Sequence, residues 1–169
     1  MFKSLAKIIP RKHLISLYRK MPLPRRVKQT IVFRSNERFL VAVLGIITND
    51  DGQVLLLHHT YTVDGKDEPW RIPSGYIEKE EPAEGLKREI FEETNFVVEI
   101  DKLLHSEYAN HPPRINLYFS GRIKSGVFKP CEEVSEYRFF DIKDFPKYMP
   151  KDQKGMMEKV VDEYKITRP

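Results

Sequence analysis

Cysteine is almost absent from this sequence, with Cys131 the single one in 169 residues. One thiol excludes an internal disulfide and a multi-thiolate zinc site, and it fits a reducing compartment. Long apolar runs are missing too. The longest, Phe39 to Ile47, is interrupted by Gly45 and falls far short of the roughly 20 residues a spanning helix needs. The first residues are basic but lack a sustained apolar stretch and a small-residue cleavage pattern, so no secretory leader is expected. Internal repeats and low-complexity tracts are also lacking. These absences point to a soluble, cytoplasmic chain of one domain, with room for a modest appendage.

What is present is unevenly distributed. The net charge is +4, but residues 1–38 hold eleven Lys or Arg against Glu37 alone, which gives that segment +10. The rest carries 18 bases and 24 acids, or −6. A basic N-terminal extension (1–38) is therefore expected beside a separate domain (39–169), and each part needs its own explanation. Residues 2–21 read as helical in two pieces around Pro10, with Leu14, Ile15, Leu17, Tyr18 and Met21 as an apolar stripe. Pro22 and Pro24 then stop the helix, and Arg25-Arg26-Val27-Lys28 continues the basic run.

From Phe39 onward the pattern alternates strands and helices. Phe39–Ile47 reads as a buried strand, Asp51-Gly52 as a two-residue hairpin signal, and Val54–His58 as its partner. Residues 60–69 form a polar loop, and Trp70–Ile77 a short strand running into a turn. Pro82 to Thr94 has helical character, with Pro in the first turn, Leu86, Ile90 and Phe91 on its apolar side, and Asn95 as a left-handed stop. Phe96–Ile100, Leu103–Tyr108, Ile115–Ile123 and Tyr137–Asp141 read as strands, and Lys151–Tyr164 as a last helix. Helices mixed with strands indicate an α/β sandwich around one sheet.

The chemistry concentrates in the Pro82–Thr94 helix. Glu89, Glu92 and Glu93 stand at i, i+3 and i+4, so their side chains share one face. Adjacent carboxylates repel, and a divalent cation offsets that cost; oxygen-only ligands select a hard ion, Mg²⁺ or Mn²⁺. Such an ion can neutralise a pyrophosphate and activate a bound water, while a further glutamate takes the proton. A solvated acidic helix face has the same local pattern, so this triplet alone decides nothing.

The wider stretch, Gly75 to Phe96, resembles the Nudix box: Gly, five residues, Glu, seven residues, Arg-Glu, an aliphatic, any residue, Glu-Glu, any residue, Gly and an aliphatic. Gly75, Glu81, Arg88, Glu89, Ile90, Glu92, Glu93 and Phe96 fill those roles, and Trp70-x-Ile72-Pro73-x-Gly75 resembles the usual approach to the box. Two positions depart from it. Six residues rather than seven separate Glu81 from Arg88; Glu80 restores seven but puts Ser74 where Gly is expected. Which of Glu80 and Glu81 pairs with Arg88 stays open. Asn95 replaces the closing Gly, which a left-handed helix stop tolerates.

The resemblance implies a Nudix-type α/β/α sandwich with a mixed sheet, plus the basic helical extension. It implies a Mg²⁺-dependent hydrolase that cleaves a pyrophosphate bond in a nucleoside diphosphate-linked substrate: a nucleotide, a nucleotide sugar, a dinucleotide or an RNA 5′ end. Glu92 and Glu93 are the implied metal ligands, Glu89 a third ligand or the general base, and the Ser74 carbonyl a further ligand. Arg88 holds the loop through a carboxylate, while Gly75, Glu81 and Asn95 are structural. Another acid from outside the box is expected among Glu132, Glu133 and Glu136. Arg71, Tyr76 and Glu133 are weaker candidates for substrate contact, as are His58, His59, Tyr61, Trp70, His111 and Arg114; each has a plain packing or surface reading as well. His105 is given no role. The alternative is an RNA- or membrane-associated binding module in which the basic N-terminus makes the contact. A homodimer is a fair expectation for either.

Overall fold

The computed structural model describes residues 20–62 and 69–164. They fall in two units, one ending at Arg38 and one beginning at Phe39, and each is described by itself. The helical pieces expected over 2–21 lie outside the described residues except for Lys20 and Met21. The first unit contains helix α1 (Arg25–Ser35), which the sequence reading treated only as a basic run. Pro24 stands at its N-cap, where a missing N–H is no loss. At the other end the Asn36 backbone N–H and Nδ2 both donate to the Val32 carbonyl, at 3.2 and 2.9 Å.

The second unit is a mixed seven-stranded sheet between helices. Its strands are β1 (Leu40–Thr48), β2 (Val54–His59), β3 (Trp70–Arg71), β4 (Ser74–Tyr76), β5 (Val97–Asn110), β6 (Pro113–Ser125) and β7 (Val134–Phe140); its helices are α2 (Pro82–Thr94) and α3 (Lys151–Tyr164). The order β3-β2-β1-β6-β5 runs through the sheet, with β4 paired to β1 and β7 to β2. Residues 42–47 of β1 are all buried, and their side chains alternate between the two faces. Val43 and Ile47 join Leu86 and Ile90 of α2 on one face, while Ala42, Leu44 and Ile46 join Met157 and Val160 of α3 on the other. The period-2 pattern of a strand covered on both sides therefore produces the three layers.

Three local differences from the sequence expectations matter for the site. The β1–β2 connection is not a two-residue turn. Asn49 accepts from Gly52 N–H at 3.0 Å and pairs with Gln53, and Thr48↔Val54 is the one register pair between these strands. Farther along β1, β4 takes the neighbouring edge instead, with Val43 opposite Gly75 and Leu44 opposite Ser74. The stretch expected as two strands over 96–108 is one strand, β5, with register shifts at Ile100/Lys102 and Leu103/His105; such bulges keep a strand continuous while breaking its alternation. Phe91, expected on the apolar side of α2, is half exposed. No described helix is long and apolar enough to cross a membrane.

Helix α2 ends as expected. Asn95 has φ 63°, its N–H donates to the Phe91 carbonyl at 2.8 Å, and its Nδ2 donates to the Val127 carbonyl at 3.1 Å. Left-handed backbone costs a β-branched residue roughly 1–2 kcal/mol more than Asn or Gly. Replacement Asn95→Val should accordingly lower the unfolding free energy by at least about 1 kcal/mol in urea titrations, whereas Asn95→Gly should stay within about 1 kcal/mol of the parent.

Candidate active site

The loop from Tyr76 to Glu80 and helix α2 are tied together by one side chain. Arg88 reaches Glu80 through Nη2 at 2.8 Å and Nε at 3.1 Å, donates from Nη2 to the Tyr76 carbonyl at 3.2 Å, and meets Glu92 through Nη1 at 3.1 Å. The pairing left open by the sequence is thus resolved in favour of Glu80. This contact holds the Glu80 carboxyl below its ordinary range and pushes Arg88 up. Glu81 instead occupies the N-cap of α2 without a side-chain cap bond, and its carbonyl accepts from Gly85. The odd spacing between acid and arginine is absorbed just before the helix begins, so the phase of Arg88–Glu93 is unaffected.

Two of the three helix carboxylates face a cavity of about 710 Å³. Glu89 lies across the backbone of Gly75, where a Cβ would collide with the Glu89 carboxyl carbon, so a larger residue displaces this side chain. Glu89 also meets Arg88 Nη2 at 3.1 Å, and burial raises its carboxyl pKa against the opposing pull of that arginine. Glu93 is 8% exposed, and its Oε2 is buried with no hydrogen-bond partner. Burial first, then the charges of Glu89, Glu133 and Glu92, push its carboxyl up to about 8. Glu92 differs from both. It is largely exposed, is held by Arg88, and does not line the cavity.

The other expected residues divide cleanly. Of the three acids proposed from outside the box, Glu133 lines the cavity and acts electrostatically on Glu93. Glu136 is instead paired with Arg138 at 2.6 Å, and Glu132 offers its carbonyl to Thr60 Oγ1 at 2.6 Å. Ser74, Gly75, Tyr76, Arg71, Tyr61, His111 and Arg114 all line the cavity. Arg71 stands over the Tyr61 ring at 5.8 Å, and burial together with Glu133 and Glu93 raises the Tyr61 hydroxyl pKa. Trp70 packs edge-on against His58 and Phe140, and His58 Nδ1 contacts Ser135 Oγ at 3.0 Å, so these two have packing roles. His59 is 4% exposed with both ring nitrogens unpartnered; burial, then Arg71 and His58, lower its pKa to about 4, and it stays neutral beside the cavity rather than lining it. His105 packs near Tyr118.

Several lining residues were not anticipated. Asn116 and Tyr118 enter from β6, Ala42 and Leu44 from the parallel neighbour β1, and Asp152 and Gln153 from the first turn of α3. Gln153 Oε1 accepts from the Ile72 N–H at 3.2 Å, which ties α3 to the segment before β4. The available signal was period 2: Arg114, Asn116, Tyr118 and Ser120 alternate along β6 between apolar neighbours.

The arrangement suits a hard divalent cation. A buried carboxylate oxygen without a donor, surrounded by further carboxylates, has the chemistry of a cation ligand that is costly to keep otherwise. Among the described residues no three acidic, imidazole or thiol groups are gathered tightly enough to cage an ion as they stand, and Arg88 occupies both Glu89 and Glu92.

Comparison with known proteins identifies the family and the fold. Residues 38–160 match the NUDIX domain family. A MutT-like protein of Streptomyces ambofaciens is 34% identical over 64 residues, 37% of this chain and 38% of that relative's length. Among solved structures, a UDP-X diphosphatase superposes with a TM-score of 0.66 at 22% identity, covering 94% of this chain and 80% of that one. A NUDIX hydrolase from Nitrosomonas europaea superposes with a TM-score of 0.67 at 25% identity, covering 79% and 76%.

The raised Glu93 carboxyl has a stability consequence. The folded state holds this proton more tightly than the unfolded chain, whose ordinary value is 4.5, so stability is greatest below about 4.5 and falls as pH rises toward 8. Glu93→Gln removes the titration. Without divalent metal at pH 7, the variant should be more stable than the parent by about 1–3 kcal/mol, a figure bounded by the size of the shift. At pH 4 the difference should vanish, as read by thermal melts across pH.

Proposed function

We propose that this chain, which belongs to the NUDIX domain family, is a Mg²⁺-dependent pyrophosphohydrolase acting on a nucleoside diphosphate-linked small molecule. The observation that carries this reading is Glu93, a buried carboxylate with an unpartnered oxygen, set beside Glu89 and Glu133 in a cavity large enough for a nucleotide. The cavity's charge pattern supports it, since carboxylates for a cation share the space with Arg71 and Arg114 for phosphate oxygens. A UDP-X diphosphatase shares the fold, and that is the substrate class proposed here.

Glu89 and Glu93 would hold the cation, with Glu92 joining them if Arg88 releases it and with the Ser74 carbonyl as a further donor. When bound, Mg²⁺ supplies charge neutralisation of the diphosphate and a water of lowered pKa. Glu133, which lines the same cavity beside Glu93, would accept the proton from the attacking water. Arg88 does not line the cavity; it holds the 76–80 loop and the helix in register. Gly75 keeps the space that Glu89 occupies.

A second reading concerns the first unit. Helix α1 presents Val27, Ile31, Val32 and Phe33 at 40–65% exposure among Arg25, Arg26 and Arg34, and residues 1–38 carry +10. Contact with RNA or anionic lipid would add to the enzyme rather than replace it. If it operates, deletion of residues 1–38 abolishes association with RNA or with anionic vesicles and leaves mononucleotide turnover in place.

Product release from a panel of nucleoside di- and triphosphates, nucleotide sugars, ADP-ribose and dinucleoside polyphosphates tests the main reading. At least one compound should be cleaved with Mg²⁺ and none with EDTA. Glu93→Gln should reduce that turnover by about a hundredfold or more, and Gly75→Ala by at least about tenfold through displacement of Glu89. Turnover that survives both Glu93→Gln and EDTA would remove the metal-carboxylate account.

A further inference from the structure

The cavity contains a built anion receptor, centred on Arg114, that the carboxylate cluster does not explain. Arg114 leaves the His111–Pro113 turn at the start of β6 and is held at two of its nitrogens. Its Nε donates to Asn116 Oδ1 at 2.9 Å, and its Nη1 donates to the His111 carbonyl at 2.8 Å. Asn116 is itself fixed, because its Nδ2 donates to Glu107 Oε1 at 3.1 Å; the same oxygen accepts from the Tyr118 hydroxyl at 2.8 Å. Asn116 and Tyr118 are 6% and 2% exposed. The amide is therefore locked with its oxygen toward the arginine, and Tyr118 braces the Glu107 carboxylate that holds it.

The charge of Arg114 is not matched by this network. Among the described residues no carboxylate lies within ion-pair distance of its guanidinium and none bonds to Nη2. An arginine stays ionised at every relevant pH, and a half-buried ionised group without a counter-charge is costly. Yet the fold spends two buried polar residues on holding it at the wall of a cavity whose other side is lined by Glu89, Glu93 and Glu133. A diphosphate entering such an acidic space needs positive charge for the phosphoryl group that the carboxylate cluster does not serve. The planar fork of a guanidinium suits tetrahedral oxyanions.

We propose that Arg114 binds phosphoryl oxygens of the substrate's diphosphate, with Asn116, Glu107 and Tyr118 as the positioning residues that hold it there. This inference rests on the pyrophosphohydrolase reading and deepens it by assigning the end of the cavity that selects a diphosphate. It separates Arg114 from nucleobase recognition, which a guanidinium could also perform.

Calorimetric titration of the full chain with inorganic pyrophosphate and with ADP, in Ca²⁺ and in EDTA, tests the assignment without turnover. Loss of charge-assisted bonds of this kind weakens binding by about tenfold to a hundredfold. Arg114→Ala should show that loss for pyrophosphate and for ADP alike, with the strengthening by Ca²⁺ retained. Arg114→Lys keeps the charge but loses the fork and the Asn116 bond, and should fall between. Glu107→Gln should weaken pyrophosphate binding several-fold in the parent and add nothing in the Arg114→Ala background, a coupling that general loosening of the fold would not produce.

Pyrophosphate affinity within twofold of the parent in Arg114→Ala overturns the assignment. So does a loss confined to ADP, which would place the base rather than a phosphate on this arginine. Independently, Ca²⁺ strengthening that persists in Glu93→Gln overturns the carboxylate reading while leaving Arg114 to be judged on its own variants. A parent chain that binds no pyrophosphate overturns both.

Discussion

The candidate site is built around the Glu93 carboxyl, which is nearly buried, keeps one oxygen without a donor and lies close enough to other carboxylates to feel their charge. In a helix on the surface of a sheet, such a group would ordinarily rotate outward. Here the i, i+3, i+4 spacing fixes its direction, because the apolar face of α2 must bury Leu86 and Ile90 against β1 and β2. Packing energy from those residues keeps Glu93 in its unfavourable position. The cost appears in a carboxyl pushed up to about 8 and in an oxygen without a donor. Local electrostatic strain that packing over-determines is a common mark of a functional site.

The surrounding structure then serves this one constraint. Arg88 pins the 76–80 loop to the helix, so that Gly75 lies under Glu89. β4 displaces β2 from half of β1 and brings Ser74 and Gly75 to the cavity. On the far side, β6 runs parallel to β1 and presents Arg114, Asn116 and Tyr118 alongside Ala42 and Leu44. The cavity thus sets Glu89 and Glu93 of the helix and Arg114 of β6 in one space, a combination suited to a diphosphate accompanied by a metal ion.

Much of this is legible in the amino-acid sequence. Pro82 and Asn95 mark the ends of α2, and the helical period alone places Glu89 and Glu93 together. The strand order was not legible, since the parallel pairing of β1 with β6 joins segments some seventy residues apart and leaves no local sign. The same holds for the Glu107–Asn116–Tyr118 network, whose members look like ordinary strand residues until β5 and β6 are set in register. Glu80 and Glu81 could not be separated by spacing, because the difference lies in how the loop enters the helix. Glu92 shows the limit in the other direction: its helical phase predicts a ligand, while its side chain is engaged by Arg88 one turn earlier. Helix α1 was hidden by the prolines before it, which read as stops although Pro24 serves as its start.

The central claim concerns a single proton, and it can be followed directly. In a chain with glutamate labelled at the side-chain carbon, the Glu93 resonance can be assigned by comparison with Glu93→Gln and titrated by NMR with and without Mg²⁺. The account predicts a carboxyl that titrates near pH 8 without metal and is ionised well below pH 7 once Mg²⁺ is present. A resonance that titrates near the ordinary carboxylate value and does not respond to Mg²⁺ would contradict it.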